Sequence, residues 1–243
     1  MDPRLHLKAS AVACLFLWAV GCGANGRSRE LRHPPAKPPE AVRQVLVAEL
    51  RRQIAGWSRT VPVREREVSW FGEPSAVVPG LQYYGGDLRP VAVMHGVAQA
   101  VVGVRGPTLV LLGSEHAWAA LTEQWSPANE EQVVTACREF IRAAGRSRLR
   151  ANVPHLLTRA SYEREGLFPD QFAAFSSRTG VDGPEVIRGA SGWRATVWVP
   201  EARLGYFLYA MRYECTFPAG DDPQRAPKLV VVDSIPGRSM PVE

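Results

Sequence analysis

The 243 residues are 46% hydrophobic and 22% charged, which is enough apolar content for a folded core that does not depend on metals or disulfides. The formal net charge is +5; loss of residues 1–21, with Asp2, Arg4 and Lys8, leaves 27 basic against 23 acidic residues, a net +4. So mild a charge, alternating in sign as in Arg64-Glu65-Arg66-Glu67 and nowhere interleaved with aromatics, lacks the gathered basic face of a nucleic-acid binder.

The chain opens with a weakly positive stretch, residues 1–8, followed by an uncharged apolar run, residues 9–20. Gly21-Cys22-Gly23-Ala24-Asn25-Gly26 closes it. A helix that crosses a bilayer needs about 20 apolar residues. This run is shorter and ends in glycines and polar residues, as the apolar region of a cleavable export signal does. Ala19-Val20-Gly21-Cys22 resembles the lipobox of bacterial lipoproteins, in which a small residue precedes an obligatory cysteine. It departs from that pattern at Ala19, where a large aliphatic residue is usual. The resemblance covers residues 1–22 only. It implies a signal peptide over 1–21, a lipid on the Cys22 sulfur, and Cys22 as the first mature residue. The implied location is the cell envelope, anchored to a membrane, with Gly23 leaning towards the outer membrane. Two alternatives stay open: cleavage after Ala24, which would give a secreted or periplasmic soluble protein, and an uncleaved anchor.

Residues 22–39 then read as a basic tether, stiffened by Pro34-Pro35 and Pro38-Pro39. From Glu40 to Trp57 the apolar residues Val42, Val45, Leu46, Leu50, Ile54 and Trp57 recur at helical spacing. Residues 61–71 read as extended, and Gly72, Pro79-Gly80 and Gly85-Gly86 read as turns. Two apolar runs, 91–104 and 108–112, flank Arg105-Gly106-Pro107 and predict a strand, a turn and a buried strand. A short helix over 115–124 carries Trp118 and Leu121. A stronger one spans 130–144: Asn129 caps it, Gln132 stands at the capping-box position, and Gly145 ends it. Val133, Cys137, Phe140, Ile141 and Ala144 share its apolar face.

The C-terminal third alternates as strands do. Residues 193–199 and 206–217 are joined by a hairpin loop over 200–205, and 229–232 make a third strand. Phe207, Tyr209, Met211, Tyr213, Cys215 and Phe217 line one face of the second of these strands. The fold class expected is α+β, an antiparallel meander packed against a few helices. It forms one globular domain over 40–243, with a possible sub-boundary near 146–155.

Cys137 and Cys215 both lie on apolar faces expected to meet, so they are candidates for a disulfide; the alternative is two buried free thiols. Gly113-Ser114-Glu115-His116 follows an apolar run, where a hydrolase nucleophile could sit, but the glycine needed after the serine is absent. The competing reading makes Ser114 a helix cap. Gly189-Ala190-Ser191-Gly192 fails the same pattern. His95, His116 and His155 are isolated, and Asp221-Asp222 lacks calcium-loop alternation, so no metal site is read. No phosphate-cradling glycine loop is present, hence no cofactor is expected. The aromatic face over 207–217 is core, or else the wall of an apolar-ligand pocket.

The sequence reading is therefore of an exported, membrane-anchored lipoprotein of non-enzymatic type, binding an envelope protein or the cell wall. Its alternatives are an exported hydrolase with an atypical serine site and a periplasmic carrier of an apolar ligand.

Overall fold

The architecture was obtained as a computed structural model that describes residues 37–57, 64–88, 98–145, 153–162, 169–203, 207–219 and 226–235. The signal, Cys22 and nearly all of the tether lie outside these residues, as do His95 and Asp221-Asp222. In chain order the elements are α1 (Glu40–Trp57), a 3-10 turn (Glu65–Glu67), β1 (Ser69–Pro74), β2 (Leu81–Leu88), β3 (Ala98–Arg105) and β4 (Thr108–Leu111). Four helices follow, α2 (Glu115–Leu121), α3 (Glu130–Ala143), α4 (Arg159–Tyr162) and α5 (Pro169–Ser176). The last elements are β5 (Glu185–Gly189), β6 (Gly192–Arg203), β7 (Phe207–Pro218) and β8 (Lys228–Ile235).

The strands form two four-stranded antiparallel meanders, β1-β2-β3-β4 (sheet A) and β5-β6-β7-β8 (sheet B). The class is α+β, as expected, with two meanders where one is expected from the sequence. The layers run α1, sheet A, α2 with α3, sheet B, then α4 with α5. Val42, Leu46, Leu50 and Ile54 of α1 pack on Ala98, Ala100 and Val102 of β3. The main core lies between the sheets: Trp118, Leu121, Val133, Cys137, Phe140 and Ile141 from the helices meet Leu81, Tyr83, Val197, Met211, Tyr213 and Phe217. A third cluster joins Tyr162 and Phe175 to Trp198, Ala210 and Ile235 on the outer side of sheet B.

The middle layer explains why α3 differs from an ordinary surface helix. A helix on the outside of a protein buries one stripe. α3 has a sheet on either side, so Ala136, Glu139, Arg142 and Ala143 are buried as well as the expected apolar stripe. Its ends are built as the sequence implies. The Asn129 side chain accepts the Gln132 N–H at 2.9 Å, while the Gln132 side chain accepts from Ala128 N, one residue before the cap. At the other end Gly145 takes φ +74° and donates its N–H to Arg142 O at 2.9 Å. The Ala143 carbonyl is taken up by Gly113 N at 2.8 Å, which docks α3 on the end of sheet A.

Four local expectations are corrected. Gly72 lies inside β1 and Gly85-Gly86 inside β2; of the three glycine breaks, only Pro79-Gly80 is a turn. The reason is cross-strand: Phe71 pairs with Gly85 and Trp70 with Gly86. A Cβ on Gly85 would stand 2.0 Å from the Phe71 ring, so the glycines make room for two aromatic side chains rather than bending the chain. The alternating charges at 64–67, which suit an edge strand, form the exposed 3-10 turn. The strand expected to be buried after Pro107 is an edge strand, β4, with Leu109 and Leu111 exposed. β4 also stops short, facing only Val102 to Arg105. Where it ends, the Gln53 side chain takes its place, bonding Gln99 O at 2.9 Å and Gln99 N at 3.2 Å. Finally, β6 and β7 run on to Arg203 and back from Phe207, so residues 200–203 are strand rather than hairpin loop.

Candidate functional site

Two places concentrate polar groups, a buried knot beside α3 and an open groove on sheet B. The knot forms because α3 presents Glu139 and Arg142 to the turn after β1. Glu139 is 1% exposed and accepts three hydrogen bonds: from Ser75 Oγ at 2.7 Å, Ala76 N at 2.8 Å and the Tyr83 hydroxyl at 2.8 Å. Ser75 Oγ in turn accepts from Val78 N at 2.8 Å, closing its own turn. The Arg142 guanidinium lies 4.5 Å over the Tyr83 ring and pairs with Glu73. A carboxylate that accepts three hydrogen bonds and is sealed from water holds structure together.

Burial pushes the Tyr83 phenol well above its ordinary range. The Glu139 charge and the hydrogen bond to it push the same way, against the smaller opposing pull of Arg142. An unfolded tyrosine loses its proton near pH 10 while the folded one keeps it, so the folded chain binds more protons there. This contribution is full below about pH 10 and is lost above it, by up to about 1.4 kcal/mol per pH unit. Tyr83→Phe is expected to lower stability by about 1.5–3 kcal/mol at neutral pH, the range for a bond to a charged group. It should also flatten the fall above about pH 10. Urea unfolding at a series of pH values reads both; an unchanged alkaline slope would count against the assignment.

The groove, about 680 Å³, lies at the end of sheet B that α4 and α5 leave uncovered. Arg194, Glu214, Thr216 and Lys228 line it together with Ile187 and Trp193. Arg194 and Glu214 stand 3.9 Å apart, and the Arg188 guanidinium sits 5.1 Å over the Trp193 ring. Gly189-Ala190-Ser191-Gly192 forms its rim as the tight turn joining β5 to β6, with Gly189 paired to Gly192. A Cβ on Gly192, whose φ is +126°, would meet Phe217 O at 2.1 Å. The segment that fails the nucleophile-turn pattern is a hairpin. The groove's size suits a ligand, and its lining offers charged, hydroxyl and aromatic groups to one.

The other residues singled out from sequence fall as follows. Ser114 caps α2, its Oγ accepting from Ala117 N at 3.3 Å, and His116 is exposed on the first turn of that helix. His155 is exposed. Cys137 and Cys215 form a disulfide, with Cα atoms 5.7 Å apart and both residues fully buried. Met211, Tyr213, Cys215 and Phe217 are core against α3; Tyr209 is half-buried. Tyr213 also donates to the buried Glu201 carboxylate. Among the described residues no three or more His, Cys, Asp or Glu side chains group to hold a metal, and no helix is long and apolar enough to cross a membrane. Sequence reasoning missed Glu139, Arg142 and Tyr83. On a helical wheel the first two read as solvated charges, and only a second sheet beside α3 makes them buried. No protein-family model, no curated protein and no solved structure matches the chain.

Proposed function

We propose that this chain is an exported lipoprotein of the cell envelope, held to a membrane through lipid on Cys22, whose α+β domain binds a partner protein or the cell wall through the groove on sheet B. The observation that carries the export half of this reading is the disulfide between Cys137 and Cys215. Such bonds persist in oxidising, extracytoplasmic compartments and are rare where glutathione keeps thiols reduced. It agrees with the leader of residues 1–21, read independently. Anchoring follows from the chemistry of the lipid: each buried methylene contributes about 0.8 kcal/mol, and two or more chains hold firmly where one does not. The groove supports the binding half because it is the open, polar part of a sheet whose other face is filled by α3.

Neither alternative gains an observation of its own. The hydrolase reading needs Ser114 as nucleophile, and that oxygen is engaged in the α2 cap. The carrier reading needs space over the aromatic face of β7, where Met211, Tyr213 and Phe217 pack against α3.

Mass spectrometry of the native product decides the anchor. The expected result is a lipid-modified N-terminus at Cys22 and recovery in the membrane fraction, with Cys22→Ser abolishing both. A water-soluble product beginning at Asn25 would overturn the proposal.

A further inference from the structure

Each sheet has two edge strands, and three of the four are blunted in recognisable ways. β4 is only four residues long, β1 ends in Glu73-Pro74, and β5 carries Glu185 and Arg188 among its five residues. Short length, proline and charge are the usual means of keeping an edge from pairing with another chain. β8 is different. It is eight residues long, and between Lys228 and Asp233 it is wholly apolar. Val230, Val231 and Val232 remain 52%, 42% and 44% exposed. Its one irregularity is a bulge at Val232, which falls between the Val231–Tyr213 and Asp233–Arg212 pairs, so the regular ladder runs from Lys228 to Val231.

The pairing with β7 shows which partner fits. Leu229 faces Cys215 and Val231 faces Tyr213, so these two lie on the α3 side of the sheet. Lys228 faces Thr216 and Val230 faces Glu214, on the outer side. A second β8 laid antiparallel about a two-fold axis at Val230 sets Val230 against itself and Leu229 against Val231. Lys228 then faces Val232, and sides match for every residue whose side the register defines. Lys228 also comes beside Asp233 of the second copy, and symmetry repeats this pair. Opposite charges at the two ends of the strand favour antiparallel self-pairing, whereas parallel self-pairing would set lysine against lysine. Asp233 keeps its 3.6 Å contact with Arg178 of its own chain in this arrangement.

We propose that β8 is a self-association edge through which two copies of this chain pair antiparallel, joining their four-stranded B sheets into one continuous sheet. The pairing is isologous, the commonest symmetry of homo-oligomers. A ladder of about five residues buries less than the roughly 1,200 Å² at which stable complexes begin, so the dimer is concentration-dependent. The inference does not depend on export or on the lipid.

Cross-linking tests it on the full-length protein in detergent. Val230→Cys places two thiols across the axis, where directly opposed Cβ atoms stand about 4.5–5.5 Å apart. The expected product is a symmetric cross-link at position 230 that rises with protein concentration, identified by peptide mapping so that links through Cys14 or Cys22 are not counted. Adding Val232→Lys should suppress it to background. Adding Lys228→Asp should reduce it about fivefold, as two exposed ion pairs become repulsive. Ile187→Cys, an equally exposed position on β5, sets the level of random collision. Circular dichroism and an intact Cys137–Cys215 bond establish that each variant is folded. Cross-linking at 230 no greater than at 187, or indifferent to Val232→Lys, would overturn the proposal.

Discussion

Replacing Glu139 by alanine is expected to destabilise the fold by about 3–5 kcal/mol, the range for breaking a buried charged network from one side. The substitution removes an acceptor from three donors at once, Ser75 Oγ, Ala76 N and the Tyr83 hydroxyl. Each buried donor left without a partner costs about 1–3 kcal/mol, and water entering the space would recover part of that. Arg142, whose side chain is 0% exposed and pairs with Glu73, would also lose a nearby negative charge. Glu139→Gln should be milder, about half as costly, because one amide oxygen still accepts while its N–H₂ faces donors. Against a total stability of roughly 5–15 kcal/mol for a domain, such a loss is a large fraction of the whole. Urea or thermal unfolding measures it directly. A loss below about 1 kcal/mol would mean that the carboxylate is dispensable and that the knot does not join α3 to sheet A.

Removal of the Cys137–Cys215 bond has a comparable expected effect by a different route. The two cysteines are 78 residues apart, and closing a loop of that length restricts the unfolded chain by about 4–5 kcal/mol on the loop-entropy model. The bond also ties α3 to β7 at the centre of the main core. Cys137→Ala with Cys215→Ala is therefore expected to lose about 3–5 kcal/mol, part from the unfolded state and part from two small voids. Tm under reducing and non-reducing conditions should differ for the native protein and coincide for the double variant. Should peptide mapping find both thiols free in protein taken from its native compartment, this stabilisation and the argument for export would fail together.

The effects compare usefully with the Tyr83→Phe change, which removes one donor to the same carboxylate. A single buried hydroxyl lost with its ring kept is mild. Deleting the acceptor at the hub is not. A larger loss for Glu139→Ala than for either Glu139→Gln or Tyr83→Phe tests whether the knot acts as a unit centred on α3.

Much of the fold was legible in the sequence because its signals are local. Periodicity placed α1 from Glu40 to Trp57, and a cap at Asn129 with a glycine at Gly145 bounded α3. Strict alternation placed β7, and the facing of Cys137 and Cys215 into one core followed from those two periodicities. The errors fell where a neighbour's side chain overrides the local signal. Gly85-Gly86 reads as a turn until Trp70 and Phe71 are seen across from it. The run at 108–112 reads as buried until it is seen to be an edge. β5 is missing from the sequence reading because Val186 and Ile187, between glutamate and arginine, are too short a signal to stand without β6 beside them.

What the sequence determined unaided was the helical and strand periods, the caps and the α+β class, each carried by residues within a turn or two of one another. Tertiary structure alone decided that α3 lies between two sheets, so that Glu139 and Arg142 are buried, and that β8 is, among the described residues, an edge of sheet B with Val230, Val231 and Val232 exposed. The physical reason is that burial belongs to pairs of surfaces: a helix wheel or a strand pattern shows which side chains share a face, but whether that face meets water, a sheet or a second sheet is settled only when the layers stack.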